Sequence, residues 1–227
     1  MELGIRLENI ASMVDKNDKI VDVGTDHAYI PIYLIKKGIC EGAIASDINK
    51  GPVDKAKKNI ALENLQHAIE CRLGGGLTTV TPNEVQVAII AGMGGNLIRD
   101  ILEQGIDVFK NLEYCILQPV QNPEVVRKFI YEKGYNIIDE EICIEDDKFY
   151  EIIKVKYDNT PLKIDPIYYE IGKKLLDKKH PLIFPYIRYK VEKYYKAYNS
   201  ILDNSPNAIA RKEEIMNVIM KLKELLD

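Results

Sequence analysis

"VDVGTDHAYIP" (residues 21–31) decides the fold. An apolar strand runs into Asp22-x-Gly24, the opening of the glycine-rich turn by which a doubly wound α/β sheet meets a nucleotide cofactor. The glycines that should follow are missing, and Asp26, His27 and Tyr29 stand in their place. Ligands of such sheets bind at the carboxyl ends of the strands, so this turn is where the chemistry is expected.

Working outward, further apolar runs end in Gly or Asp: "GAIASD" (42–47), "AIECRLG" (68–74) and "VQVAIIAG" (85–92). The amphipathic "AYIPIYLIKKG" and "GPVDKAKKNIALENL" separate the first three strands, and Pro52 suits a helix N-terminus. Then come "EYCILQP" (113–119) and "NPEVVRKFIYEKG" with its stop at Gly134. Strand–helix alternation at this spacing predicts a parallel sheet with helices on both faces. Residues 135–145 and 148–157, joined by "EDDK", read as an antiparallel hairpin at one sheet edge.

After Tyr157 the pattern changes, and we place a domain boundary there: 1–157, then 158–227. "DNTPLKIDP" (158–166) is linker-like, and helical periodicity follows with a break near "KKHPLIFP" (178–185). Ile187, Val191, Tyr194/Tyr195, Tyr198 and Ile201/Leu202 mark one face of a long helix. After a turn at "DNSPN" (203–207), Ile209, Ile215, Val218/Ile219, Leu222 and Leu225/Leu226 mark the next. Two such helices make an antiparallel αα-hairpin or coiled coil.

At 46% apolar and 29% charged residues, the composition is that of a soluble globular protein. No apolar run approaches the roughly 20 residues that span a bilayer. The opening "MELGIRLENIASMV" carries early acids and no apolar h-region, so neither a signal peptide nor a membrane partner is expected. Cys40, Cys71, Cys115 and Cys143 form no CxxC pair, and His27, His67 and His180 are scattered, so we expect free thiols, no metal and a cytoplasmic location. The net charge of −4 is uneven: 13 Lys/Arg against 10 Asp/Glu from Asp158 onward, 18 against 25 before it. Arg188, Lys190, Lys193 and Lys196 interleave with tyrosines on the long helix. Such a face can neutralise phosphates and stack on bases, or it can be ordinary solvated surface.

Asp47 ends the second strand, where a carboxylate can accept both ribose hydroxyls of a nucleoside; the plain alternative is a helix cap ahead of Gly51-Pro52. A nicotinamide dinucleotide would bring its pyrophosphate to the turn after the first strand, and Asp26 there is electrostatically wrong for it. An acid suits a cofactor without phosphate whose amino and sulfonium groups are positive, which points to S-adenosylmethionine (SAM). "GGGL" (74–77) follows the third strand and "AGMGG" (91–95) the fourth, where glycine lets backbone approach a flat ligand and Met93 can pack on it.

"DVGTDHAYIP", "DINKGP", "GGGL", "IAGMGG" and "LQP" resemble, in order and spacing, the bacterial tRNA adenine-N1-methyltransferases that modify adenine 22 of the D-arm. The resemblance covers essentially the whole chain. It implies a Rossmann-like class I methyltransferase domain with a C-terminal helical hairpin, SAM as methyl donor and tRNA as partner, and we expect a monomer. Asp22, Gly24, Asp26, Asp47, Ile48, Gly74, Gly75, Gly92 and Met93 are the expected cofactor contacts, and Arg188, Lys190, Lys193 and Lys196 the RNA contacts. Asp26, then His27, are the expected catalytic groups beside the cationic product, with Tyr29 stacking on or orienting the base. Gly75 stands where the family's Gly-Asp-Gly-Leu carries an acid, which leaves the contact to the adenine amino group unassigned. The rival readings are a nicotinamide-dependent oxidoreductase, disfavoured by the missing phosphate glycines, and a non-catalytic RNA-binding or SAM-sensing module.

Overall fold

The computed structural model describes residues 2–203 and 205–226, and the chain divides into two compact units, Met1–Ile164 and Asp165–Asp227. The first opens on α1 (Ile5–Ser12) and runs β1 (Asn17–Val23), α2 (Tyr29–Lys36), β2 (Cys40–Asp47), α3 (Lys50–Leu62) and β3 (Ile69–Leu73). After a 3-10 turn (Gly76–Thr79) come β4 (Val87–Gly94), α4 (Gly95–Gln104), α5 (Ile106–Phe109), β5 (Tyr114–Gln121), α6 (Pro123–Glu132), β6 (Tyr135–Glu145) and β7 (Lys148–Tyr157).

The seven strands form one sheet in the order β3-β2-β1-β4-β5-β7-β6. β1 to β5 are parallel, and β7 runs antiparallel to both β5 and β6. Central strands covered on both faces must be apolar throughout, and Val87, Ala88, Ile89 and Ile90 of β4 are all fully buried. Chain order reverses where β1 lies between β2 and β4, so a crevice opens at the carboxyl end of β1. That switch point positions the site.

The edge hairpin falls on the residues expected of it. Its two-residue turn, Asp146-Asp147, has φ of 49° and 58°, the left-handed pair that matches strand twist. α6 is tied to the hairpin by fully buried Arg127, which donates to Glu140 at 2.7 Å and to Glu151. The first unit keeps residues 158–164, past the expected boundary at Tyr157, because Leu162 N–H donates to the Tyr131 carbonyl at 2.9 Å.

The second unit contains α7 (Ile167–Glu170), α8 (Lys173–Asp177), α9 (Ile183–Ser200) and α10 (Pro206–Glu224). Lys212 lies over the Tyr198 ring and Lys223 donates to the Tyr195 hydroxyl, so α9 and α10 run antiparallel. Ile187 and Val191 of α9 and Ile215, Ile219 and Leu222 of α10 are buried. Leu202 (88% exposed) and Ile209 (48% exposed), expected on the packed faces, instead lie at the exposed end of the hairpin. Of the turn at 203–207, Asn204 lies outside the described residues. Ser205 caps α10 by accepting the Ala208 N–H, with Pro206 at the first helical position.

Candidate active site

The turn after β1 replaces the missing glycines by other means. Gly24 takes φ +75°, and the N–H groups of Gly24 and Thr25 both donate to the Ser46 carbonyl of β2, at 2.8 and 2.9 Å. The Thr25 hydroxyl then accepts the Ala28 N–H at 3.2 Å. Ala28 itself adopts the left-handed conformation (φ 57°) that starts α2 at Tyr29. A hydroxyl and one strained alanine thus shape the loop and free Asp26, His27 and Tyr29 to carry side chains. Met93 packs over this turn, since a Cβ on Gly24 would lie 2.1 Å from its methyl.

A cleft of about 320 Å³ opens here, between Asp22, Gly24, Asp26 and Tyr29 on one side and Arg6 and Gly92 on the other. Asp22 is buried at its floor. Desolvation pushes its carboxyl up to about 6; the Thr25 hydroxyl bond pulls it down, and the nearby Asp47 charge raises it. Asp22 has no cation among the groups that shift its carboxyl, and a buried acid of that kind is suited to a cationic ligand.

Asp26, by contrast, is well exposed. Its Oδ2 lies 3.1 Å from His27 Nε2 and its Oδ1 3.4 Å from Lys55 Nζ on α3. Asn59 of α3 donates to the His27 carbonyl at 3.0 Å and lies 3.4 Å from Nδ1 of the ring. The imidazole stacks on Tyr29 with centroids 4.9 Å apart and planes within 8°. Asp26, His27 and Tyr29 therefore form one contiguous group, and Lys55 and Asn59, which sequence reasoning missed, hold it from α3. Tyr29 remains 39% exposed, so part of its ring is available to a planar ligand.

A second group forms at the ends of β2 and β3. Gly74 N–H donates to the Asp47 carbonyl at 2.9 Å, and a Cβ on Gly75 would sit 3.5 Å from Ile48 Cδ1. Ile48 is 70% exposed, a large apolar side chain with nothing covering it. Asp47 Oδ1 accepts the Asn49 N–H at 2.7 Å, and the cap position of α3 belongs to Asn49. Asp47, Ile48, Gly74 and Gly75 lie outside the cleft walls proper, but the electrostatic influence of Asp47 on Asp22 connects the groups.

On the β4 side, Gly92 takes φ +76° and its N–H donates to Gln118 Oε1 at 3.1 Å. Gln118 is fully buried at the carboxyl end of β5, and its oxygen also accepts Arg6 Nη1 at 2.8 Å. "EYCILQP" covers that strand end without singling out Gln118, whereas nothing in the sequence distinguishes Arg6 from other surface charges of α1.

Among the expected RNA contacts, Arg188, Lys193 and Lys196 are exposed on α9. Lys190 is not. It is 5% exposed and donates to the Glu170 carbonyl and carboxylate at 2.7 and 2.9 Å, while Glu170 also accepts the Tyr194 hydroxyl at 2.6 Å. Lys190 ties α9 to α7, and a side chain so enclosed cannot reach a phosphate.

Among the described residues, no helix is long and apolar enough to cross a membrane, and no group of three or more His, Cys, Asp or Glu is arranged to hold a metal ion. The family described as tRNA (adenine(22)-N(1))-methyltransferase matches residues 20–224. The tRNA (adenine(22)-N(1))-methyltransferase of Bacillus subtilis is 36% identical over 172 residues, 76% of this chain and 72% of that protein. The crystal structure of the B. subtilis M1A22 tRNA methyltransferase TrmK superposes with a TM-score of 0.89 at 29% identity, over 100% of this chain and 99% of that one. Streptococcus pneumoniae Sp1610 in complex with S-adenosyl-L-methionine gives a TM-score of 0.84 at 33% identity, over the whole of both chains.

Proposed function

The chain belongs to the tRNA (adenine(22)-N(1))-methyltransferase family, and on that premise we propose how its own residues transfer a methyl group from SAM to N1 of adenine 22 in the tRNA D-arm. The observation that carries the reading is the acid-floored cleft at the sheet switch point, with Asp22 beneath it and Asp26 where a phosphate-binding glycine would stand. That donor set fits SAM and repels a pyrophosphate, which removes the nicotinamide reading. SAM supplies the methyl carbon on a sulfonium. Asp22 faces its positive end, and Asp47 accepts the ribose hydroxyls. Ile48 offers an apolar side chain and Gly75 a side-chain-free surface to the adenine ring, and backbone near Gly24, Gly74 and Gly92 closes on it, with Met93 bracing the turn.

Adenine N1 is a competent nucleophile, so the enzyme's main task is alignment of N1 with the methyl carbon. A base taken out of its stack costs a few kcal/mol, and stacking on the exposed part of Tyr29 offsets that. As the N1–CH3 bond forms, the S–CH3 bond would break, leaving a neutral thioether and a cationic adenine that the Asp26 carboxylate, held in position by His27, stabilises. Arg188, Lys193 and Lys196 on α9 neutralise phosphates of the tRNA body. The protein acts as a monomer in the cytoplasm. Incubating it with labelled SAM and an unmodified tRNA transcript, then digesting the RNA to nucleosides, should yield labelled 1-methyladenosine. A binding or sensing module would yield none.

Asp47→Ala should weaken SAM binding by about 1.5–3 kcal/mol, the range for hydrogen bonds to a charged group. Calorimetry showing unchanged affinity would remove Asp47 from the ribose site.

The raised Asp22 carboxyl makes SAM binding pH-dependent. In the free protein it is protonated below about 6, and a ligand ammonium favours the ionised form. Binding therefore releases a proton, and SAM affinity should rise up to about tenfold per pH unit below that value and level off above it. For folding, the raised value stabilises below the unfolded carboxyl's 3.8, and that contribution is lost as pH rises through about 6. Asp22→Asn should thus stabilise the free protein near neutral pH while flattening the SAM titration. A flat titration in the wild-type protein would contradict the assignment.

A further inference from the structure

We infer that Asn59 of α3 is a positioning residue for methyl transfer: it fixes the His27 ring with its proton on Nε2, the nitrogen beside the Asp26 carboxylate, an inference that rests on Asp26 acting in the reaction. A neutral imidazole carries its proton on one nitrogen only, so a histidine next to a carboxylate has a helpful tautomer and a harmful one. With the proton on Nε2, His27 has a donor for Asp26 Oδ2, 3.1 Å away. With the proton on Nδ1, it sets a lone pair against that negative oxygen and repels it.

Asn59 decides between the two. Its side-chain nitrogen lies 3.0 Å from the His27 carbonyl oxygen. A carbonyl only accepts, so the group facing it is the NH2 of the amide and not the amide oxygen. The same nitrogen lies 3.4 Å from Nδ1 of the ring. An amide NH2 has two hydrogens to give and accepts none. One goes to the carbonyl and the other to Nδ1, which must then be the unprotonated nitrogen, and the ring proton is left on Nε2. The backbone oxygen of His27 thus sets the tautomer of its own side chain through one amide. Stacking on Tyr29, with planes within 8°, holds the ring plane. Lys55, four residues before Asn59 and on the same helix face, holds the other carboxylate oxygen, Oδ1, at 3.4 Å. Asparagine is a weak helix former, and its place inside α3 (Lys50–Leu62) is accounted for by these bonds to the turn.

Nitrogen-15 spectra of the histidine rings report the tautomer directly at about pH 8.5, above the usual imidazole range. Wild-type His27 should be essentially all Nε2–H, a reading that needs no variant. Asn59→Leu, which keeps the size but not the donor, should give a mixture of tautomers. Its single-turnover methylation should fall about 5- to 10-fold, the range of one neutral hydrogen bond, with SAM affinity changed by less than about twofold. Asn59 also ties down the backbone, so the same substitution is made in a His27→Gln protein. That amide offers an N–H near the place of Nε2 and has no ring to tautomerise. There Asn59→Leu still breaks the bond to the carbonyl at position 27, yet it should slow turnover less than about twofold. An equal loss in both backgrounds makes Asn59 a backbone strut and overturns the inference. Wild-type His27 protonated on Nδ1, a tautomer unmoved in Asn59→Leu, or full turnover by that variant overturns it too. Asp26→Asn, measured alongside, keeps the two failures apart. If it also turns over like wild type, the catalytic reading of the turn has failed; if it is slow and Asn59→Leu is not, only the role of Asn59 has.

Discussion

Asp26→Asn should lower single-turnover methylation of tRNA by about 100-fold or more, at the lower end of the range for groups that act on a proton or charge in the transition state. SAM and tRNA affinities should each change by less than about threefold. The amide keeps the shape of the carboxylate and its contact with His27, now 3.1 Å from Nε2. It loses only the negative charge. In the free protein that charge is shared with Lys55 at 3.4 Å and is well hydrated. Docked RNA excludes the water, and the same carboxylate then acts at lower local dielectric on the positive charge that develops on the adenine. Rapid-quench measurement with enzyme in excess isolates the chemical step. Turnover within about twofold of wild type would make Asp26 a support for His27 and no more.

Removing residues 165–227 should abolish most tRNA affinity and leave SAM binding within about threefold. The cut belongs after Ile164, because Leu162 is hydrogen-bonded to the first unit. What remains keeps the complete seven-stranded sheet, its buried core and the cleft. It also keeps a strong excess of acids, which repels an RNA backbone. In the full-length protein, neutralising Arg188, Lys193 and Lys196 together should flatten the dependence of tRNA affinity on salt by up to about 0.7–0.9 log units per lost phosphate contact. Lys190→Ala is the informative control. Its ammonium is spent on Glu170, so it should loosen the second unit without changing the slope. A triple variant with the wild-type slope would place the tRNA elsewhere.

The contrast between Lys190 and its neighbours shows where sequence reading stops. Spacing identifies α9 as a basic, tyrosine-rich helix. Which lysine turns inward depends on Glu170, 20 residues earlier on another helix. The strands and the hairpin were legible because parallel strands are continuous apolar runs and the short polar "EDDK" separates two strand-like runs. The placement of Asp22, Asp26 and Asp47 near the carboxyl ends of β1 and β2 was legible because apolar runs stop there. Arg6 and Gln118 were not, for they meet across 112 residues of sequence and each alone looks ordinary. The Thr25–Ala28 bond that substitutes for glycine, and the burial that raises Asp22, are likewise properties of the folded loop.

The most direct test of the central claim compares two unmodified tRNA transcripts that differ only at position 22, one with adenine and one with guanine. Both are incubated to completion with the enzyme and labelled SAM, and methyl groups incorporated per tRNA are counted. The account predicts one methyl per molecule for the adenine transcript, recovered as 1-methyladenosine, and none for the guanine transcript. Equal labelling of the two, or label in neither, would contradict it.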